Sequence, residues 1–261
     1  MSAPAPFAPP IGPPVAPAAS DLRPQAVAQV GQDFWVAGEV FNEKREGFFV
    51  DCGAADGLTI SNTALLEQQF GWTGICIEAD TAYYQALCRN RRATCIHACL
   101  DGEVREVEFC QRQLLGGIVG TGLDNAPAAG VASGPTIRLR TRTLADILAA
   151  CGAPATIDYL SMDVEGAEER ILLGFPFEQY VFRCITIERP KAALRARLSR
   201  QGYVVVKEIP GLDVFYIHTD FLAGYTSNVF AFWARPRWER RPAPVPPPVA
   251  RRLRWWRRLV G

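Results

Sequence analysis

Hydrophobic residues fall in short runs that are separated by amphipathic stretches of helical length. Five of the runs are typical of buried strands: FFVDC, GICIEAD, ATCIHACL, IDYLSMDVEG and VFRCITIE. Most of the stretches between them read as helices, including residues 61–70, TAYYQALCRN and AEERILL. Strands that alternate with helices predict an α/β fold, in which a doubly wound, mostly parallel sheet carries helices on both faces.

Shorter patterns complete this prediction. EVREVEFCQ and TIRLRTRT alternate between polar and apolar residues and predict two further strands. Near the end, YVVVKEI and DVFYIH are joined by Pro210-Gly211-Leu212 and predict an antiparallel C-terminal hairpin.

The first apolar run leads into a glycine turn, FFVDCGAADG at residues 48–57. A buried strand, a turn of small residues and a helix N-terminus form a cradle for a nucleotide-type ligand, because the backbone can approach the ligand closely. Packing alone also produces such turns, so residues elsewhere in the chain must decide between the two interpretations.

Acidic residues stand at the carboxyl ends of successive predicted strands, where ligands bind in a doubly wound sheet. They are Asp51 and Asp56, Glu78, Asp101, Asp163 and Glu165, and Glu188. Glu78 lies 25 residues beyond Gly53, at a position from which an acid accepts hydrogen bonds from both ribose hydroxyls. Asp101 would accept from an adenine amino group, although Asp-Gly is also a common turn.

Two cofactor types fit such a cradle, a nicotinamide dinucleotide and S-adenosylmethionine. A dinucleotide needs a loop free of acids, whereas Asp51 and Asp56 would repel its pyrophosphate. The same charges suit the amino group and sulfonium of S-adenosylmethionine, and the sequence lacks a His or a Tyr-Lys pair suited to hydride transfer. We therefore expect S-adenosylmethionine.

VDCGAADGLTISNT, GWTGICIEAD, IDYLSMDVEGAEERIL and ITIE together resemble the FkbM-type S-adenosylmethionine-dependent methyltransferases, over about residues 47–218. The resemblance implies a class I Rossmann-like methyltransferase fold with a seven-stranded sheet, and O-methylation as the usual activity. The family commonly has Gly-Ala-Asn in the turn, where this chain has Gly53-Ala54-Ala55 and so lacks a hydrogen-bonding amide.

Site residues follow from these motifs. The predicted cofactor-binding residues are Asp51, Gly53, Ala54, Asp56, Gly57, Asn62, Glu78 and Asp101. Asp163 or Glu165 is predicted to be the catalytic base, with Glu188 positioning the substrate. Two alternatives stay open, a cofactor contact for Asp163 and N-terminal capping of a helix for Glu165.

The three acids would also suit a divalent metal, but nothing in their spacing demands one and we assign none. His97, inside a predicted strand, is more typical of a structural histidine than of a base.

Composition divides the chain into four parts. Residues 1–20 are Ala/Pro-rich and predicted to be disordered, 21–46 form a docking segment, and 47–234 form the methyltransferase domain. Residues 235–261 comprise a Pro-rich linker and the basic tail RRLRWWRRLVG. The Gly-rich stretch 113–135 is a natural lid over the acceptor or else plain disorder.

Charge and cysteine usage restrict the partners. Residues 235–261 carry nine arginines and one acid, a net +8, so the rest of this +1 chain carries −7. An acidic body argues against a nucleic-acid partner, and the acceptor is expected to be a small-molecule or glycan hydroxyl.

Neither a signal peptide nor a transmembrane run is evident, and cysteines in apolar runs (Cys52, Cys76, Cys99 and Cys184) suit a reducing compartment. A cytoplasmic protein is expected, peripheral at the inner membrane face if the basic tail binds anionic lipid.

Two functions from different classes are consistent with the sequence. One is an O-methyltransferase that modifies a hydroxyl of a sugar, glycan or natural product. The other is a non-catalytic, membrane-associated adaptor with a methyltransferase-like fold. Gly53, Gly57 and Glu78 favour the enzyme, because an adaptor has no need of them.

A chain truncated after Ala234 should keep its methyl transfer but sediment less with anionic vesicles, because it lacks the Arg/Trp tail. The measurement is co-sedimentation with phosphatidylserine vesicles, with neutral phosphatidylcholine vesicles as the control. Equal sedimentation of both chains with the anionic vesicles would contradict a membrane role for the tail.

Overall fold

The computed structural model describes residues 27–120 and 134–225. The segment 1–20 and the tail 235–261 lie outside these residues, as does most of the predicted lid 113–135. No helix within the described ranges is both long and apolar enough to cross a lipid bilayer.

Strands and helices alternate along most of the chain. The strands are β1 (Phe48–Cys52), β2 (Thr73–Glu78), β3 (Thr94–His97), β4 (Cys99–Leu100), β5 (Glu106–Cys110), β6 (Gly117–Ile118), β7 (Thr136–Arg142), β8 (Thr156–Met162), β9 (Val181–Glu188), β10 (Tyr203–Glu208) and β11 (Asp213–His218). The helices are α1 (Gln32–Phe34), which continues as a π-helix (Trp35–Val40), α2 (Ala64–Phe70), α3 (Thr81–Asn90), α4 (Leu144–Ala150), α5 (Glu168–Leu173) and α6 (Ala192–Arg200).

Seven strands form the central sheet, in the order β10-β11-β9-β8-β1-β2-β3. The five strands from β9 to β3 in this order pair in parallel, whereas β11 pairs antiparallel with both β9 and β10. This confirms the predicted seven-stranded, mostly parallel sheet and its antiparallel C-terminal hairpin. The strand order reverses beside β1, which places a ligand-binding crevice at the carboxyl ends of β1 and β8.

Both faces of the central sheet are covered. Neighbouring residues of β1 point to opposite faces, so Val50 joins one apolar cluster and Phe49 the other. The first cluster includes Ile147 of α4, and the second includes Leu66 of α2 and the fully buried Trp35 of the N-terminal π-helix. Helices therefore pack on both sides, as predicted for a doubly wound sheet.

A smaller second sheet, in the order β4-β7-β5-β6, was not predicted. The prediction of ATCIHACL as one strand is wrong. The chain leaves the central sheet after the Ala98 amide donates to the Glu78 carbonyl (3.0 Å), and β4 then pairs with β7. The alternating strands β5 and β7 pair with each other in this second sheet.

The turn after β1 is longer than predicted. Helix α2 begins at Ala64, not near residue 61, and the Ser61 hydroxyl accepts hydrogen bonds from the amides of Thr63 (3.3 Å) and Ala64 (3.1 Å). Ser61 thus satisfies donors at the helix start, although it stands outside the helix.

All eight cysteines are free thiols. Cys52, Cys76, Cys99 and Cys184 are buried, as the sequence predicted. Burial raises the pKa of Cys52 and Cys184 well above its usual range, so these side chains act as small apolar groups.

Gly53 joins the turn after β1 to the turn after β8. Its φ of +83° lies in the left-handed region that favours glycine. A Cβ atom at this position would lie 1.7 Å from the carbonyl oxygen of Asp163, inside any tolerable contact distance. The two turns that carry the predicted site residues can therefore meet only because residue 53 has no side chain.

Gly53→Ala should lower the free energy of unfolding by roughly 3 kcal/mol, because a left-handed alanine costs about 1–2 and the clash about 1–3 kcal/mol. Gly152→Ala is the matched control, since Gly152 also has a positive φ (+62°) but nothing within 4 Å of an added Cβ. Urea unfolding measures both, and equal losses would contradict a steric role for the Asp163 carbonyl.

Candidate active site

One cavity opens at the carboxyl ends of the central strands, beside β1 and β8. It brings together most of the predicted site residues: Asp51, Gly53, Ala54, Asn62, Glu78, Asp163, Glu165 and Glu188. The acids come from four different strands and the turns that follow them. They meet because parallel strands end at the same edge of the sheet.

Glu78 is held by backbone donors at the end of β2. Its Oε2 accepts from the amide of Ala55 (2.8 Å) and its Oε1 accepts from the amide of Asp80 (2.7 Å). Burial raises the pKa of Glu78 to about 7, although these hydrogen bonds pull it down. The carboxylate is therefore fixed in orientation and carries lone pairs that can still accept from a ligand hydroxyl.

Ala55 occupies the position where the family commonly has asparagine. Its φ of +48° is left-handed, a conformation that asparagine adopts far more readily than alanine. The unusual alanine keeps the hydrogen bond from its amide to Glu78, so the turn is formed despite this residue.

A buried arginine, Arg91, supports the turn from behind. Its Nε donates to Glu67 (3.0 Å), and its Nη1 donates to the Gly57 carbonyl (3.2 Å). Its Nη2 donates to the Thr63 hydroxyl (3.0 Å), which in turn donates to Asp51 Oδ2 (2.6 Å). Arg91 is not among the predicted site residues, because a single arginine at the end of a helix carries no signal of burial.

Asp51 lines the cavity at the end of this network. Burial raises its pKa above the usual range, while the hydrogen bond from Thr63 and the charge of Arg91 lower it. The network therefore stabilises a charged Asp51 in a site where burial alone would favour the neutral form.

Asn62 presents an unused acceptor to the cavity. Its Nδ2 donates to the Ser161 hydroxyl (2.9 Å). Its Oδ1 is buried and has no hydrogen-bond partner among the described residues. A buried amide oxygen without a donor is unfavourable, so this atom is suited to a ligand that donates a hydrogen bond.

Three carboxylates converge at the other side of the cavity. Oxygens of Asp163, Glu165 and Glu188 lie within 4.8 Å of one another. Arg189 Nη2 lies 2.6 Å from Glu188 Oε1 and 3.5 Å from Glu165 Oε2. Burial, then the charges of Glu188 and Glu165, raise the pKa of Asp163 well above its usual range. Burial and the neighbouring negative charges both favour the protonated form of Asp163, so this carboxyl has a higher proton affinity than an exposed one.

Three predicted cofactor residues do not line this cavity: Asp56, Gly57 and Asp101. Asp56 caps its own turn, where it accepts from the amides of Leu58 (2.9 Å) and Thr59 (2.7 Å). Gly57 packs against Arg91, whose Cγ lies 2.6 Å from the position of an added Cβ.

Asp101 is engaged by two arginines. Its Oδ2 accepts from Arg105 (2.6 Å) and its Oδ1 from Arg170 (2.7 Å). We therefore do not place Asp101 or Asp56 in the cofactor site. The sequence showed an acid at a strand end but not that Arg105, four residues later, and the distant Arg170 would engage it.

The cavity is completed by residues that the sequence analysis did not select. Gln32, from the N-terminal segment, lines it and donates to Asp213 Oδ2 (2.7 Å) across 181 residues of sequence. Ile118 and Phe109 line it from the second sheet, and Leu114 and Gly117 come from the first residues of the predicted lid. Residues 121–133 of that lid lie outside the described residues. His97 is exposed and does not line the cavity.

Comparisons with solved structures find methyltransferases at low similarity. The METTL16 MTase domain is 12% identical with a TM-score of 0.44, covering 73% of this chain and 67% of that chain. A human methyltransferase 10 domain containing protein is 10% identical with a TM-score of 0.41, covering 73% and 81%. M. capricolum TrmK, in complex with S-adenosyl-homocysteine, is 10% identical with a TM-score of 0.39, covering 87% and 93%. No curated protein matches the sequence significantly.

The sequence itself matches a family model over residues 51–205, more than half of the chain, and that family is described as the methyltransferase FkbM domain. The matched residues contain the glycine turn, Glu78 and the acids after β8 and β9. The cofactor is S-adenosylmethionine, as the sequence predicted. The chain belongs to the FkbM methyltransferase family.

Proposed function

We propose that this methyltransferase modifies a hydroxyl group of a sugar, glycan or natural product. One cavity carries the proposal. The glycine turn and Glu78 line its cofactor side, and the carboxylates of Asp163, Glu165 and Glu188 line its acceptor side. An alcohol must lose its proton as it is methylated, and carboxylates beside the reacting centre can accept that proton.

The residues of the cavity fit S-adenosylmethionine. Glu78 would accept hydrogen bonds from the ribose hydroxyls, and Asn62 Oδ1 would accept from the amino group of the methionine moiety. Asp51 adds negative charge that suits a cationic ligand. When bound, the cofactor supplies an electrophilic methyl group on a positively charged sulfur.

Within this arrangement, the chain orients the acceptor and removes its proton. Asp163 is the proposed base, because its carboxylate lines the cavity directly after β8, beside Glu165 and Glu188. Glu188, held by Arg189, would position the acceptor. Correct orientation of the attacking oxygen supplies a large part of the rate in a displacement of this kind.

Other groups in the cavity are poorly suited to be the base or the nucleophile. The Cys99 thiol lines the cavity, but burial raises its pKa to about 12, so it stays protonated. His97 lies outside the cavity, stacked on Tyr84 with ring centroids 4.8 Å apart. The non-catalytic adaptor is also disfavoured, because a binding scaffold gains nothing from burying Asp51 and Glu78 at an electrostatic cost.

Asp163→Asn should lower turnover by roughly 100-fold or more, the usual contribution of a general base, while cofactor affinity changes little. Glu165→Gln should also lower turnover more than affinity. Transfer of a labelled methyl group to a panel of sugars, glycans and polyketide alcohols measures turnover, and calorimetry measures cofactor affinity.

Asp146→Asn is the control, since Asp146 is an exposed acid on α4 that does not line the cavity. Unchanged turnover in both Asp163→Asn and Glu165→Gln would refute the assignment of the base. Failure of the folded wild-type chain to bind S-adenosylmethionine at millimolar concentration would refute the catalytic proposal as a whole.

Cofactor affinity should fall as the pH drops through about 7, the pKa of Glu78. Only the ionised carboxylate accepts from both ribose hydroxyls, and about nine-tenths of a group with this pKa is protonated at pH 6, so affinity there should be roughly tenfold weaker than at pH 8. Calorimetry at pH 6, 7 and 8 tests this. Glu78→Gln should bind weakly at every pH, and an equally steep pH dependence in that variant would show that another group is responsible.

A further inference from the structure

We propose that Asp163, Glu165 and Glu188 bind a hard divalent cation of the Mg²⁺, Mn²⁺ or Ca²⁺ class at the acceptor side of the cavity. The three acids suit a divalent metal, but their spacing along the chain does not demand one, so the sequence alone assigns none. The cation's role in activating the acceptor rests on the proposed function, whereas its binding can be measured without any acceptor.

The spacing of the three carboxylates matches a shared cation. One oxygen from each residue lies within 4.8 Å of the other two. Two ligands on opposite sides of a Ca²⁺ ion are about 4.6–5.2 Å apart, since each Ca–O distance is about 2.3–2.6 Å. Ligands of Mg²⁺ lie closer, at about 2.0–2.1 Å, so Mg²⁺ would require a small contraction. An all-oxygen site selects hard cations over zinc, which prefers nitrogen and sulfur ligands.

Glu188 provides the second, independent observation. Its side chain is only 9% exposed, and its Oε1 is taken by Arg189 Nη2 at 2.6 Å. Its Oε2 is buried and has no hydrogen-bond partner among the described residues. A buried carboxylate oxygen without a donor is strongly unfavourable, so this atom needs a positively charged or donating ligand, and Glu188 lines the cavity from which one can enter.

Charge balance favours a divalent ion over a monovalent one. With all three carboxylates ionised, as a bound cation would make them, the guanidinium of Arg189 supplies one positive charge against their three. A divalent cation would neutralise the remaining two negative charges. The competing explanation is a proton shared between Asp163 and Glu188, which would remove only one of these charges.

A cation here would take part directly in the proposed reaction. One oxygen of each carboxylate would hold the ion, and open coordination positions would face the cavity and accept the substrate hydroxyl. The bound hydroxyl becomes more acidic and gives its proton to the second oxygen of Asp163. The hydroxyl oxygen then forms a bond to the methyl carbon, and the carbon–sulfur bond breaks with its electron pair on sulfur, which leaves a neutral thioether.

Titration of the full chain with Mn²⁺, followed by the electron paramagnetic resonance signal of free Mn²⁺, tests the proposal without cofactor or acceptor. We expect one Mn²⁺ per chain, displaced by Mg²⁺ or Ca²⁺. Glu188→Gln should weaken binding at least tenfold, because it removes one charged ligand while keeping the shape of the side chain. Glu103→Gln is the matched control, since Glu103 is 78% exposed and lies outside the cavity.

Asp163→Asn provides a second variant if Glu188→Gln does not fold, with circular dichroism as the check on folding. Absence of stoichiometric Mn²⁺ binding, or binding unaffected in a folded variant of either residue, would overturn the proposal and favour the shared proton.

Methyl transfer that persists at full rate in a chelator would also overturn the catalytic role of the cation, yet leave the proposed function intact. Stoichiometric binding that Glu188→Gln weakens, in a chain without methyl transfer, would support the metal site and count against the proposed function.

Discussion

The carbonyl oxygen of Asp163 fills the space in which a side chain on residue 53 would stand. This contact forces the turn after β1 against the turn after β8, two strands that already lie side by side in the sheet. The first turn carries the backbone that a cofactor must approach, and the second begins with the proposed base. The distance between the cofactor part and the acceptor part of the cavity is thus set by backbone packing, which is stiffer than any side-chain contact.

A second constraint keeps the first turn in shape. Arg91 is fully buried and contacts Gly57, Thr63 and Glu67, which joins the irregular turn after β1 to the first residues of α2. A buried ion pair such as Arg91–Glu67 contributes little net stability, since desolvation offsets most of the attraction, but losing one partner is costly. Here the ion pair fixes the position of the Arg91 side chain. Arg91 donates to Thr63, and Thr63 in turn holds Asp51 at the wall of the cavity.

The sequence predicted what periodicity and strand ends can encode. Runs of apolar residues identified the central strands, and the acids at their carboxyl ends, Glu78, Asp163 and Glu188, do meet in one cavity. Periodicity does not say which strands pair, so the second sheet and its contribution of Phe109 and Ile118 were missed. Nor does it reveal contacts between distant segments. Gln32 reaches Asp213 across 181 residues, and the arginines that engage Asp101 turn a predicted ligand contact into a structural ion-pair cluster.

The acids of the cavity differ in how the protein satisfies them, and this difference separates their roles. Both oxygens of Glu78 accept backbone hydrogen bonds, which offset part of the cost of burying its charge before any ligand arrives. Glu188 is supported on one oxygen only, and Asp163 lies beside two like charges. A carboxylate that the backbone holds in this way is suited to binding the neutral ribose diol, because neither its position nor its protonation state needs to change during the reaction. Carboxylates that lack support are suited to binding something positive, whether a proton in transit or a cation. On this argument the reacting hydroxyl belongs beside Asp163 and Glu188, and the ribose belongs beside Glu78.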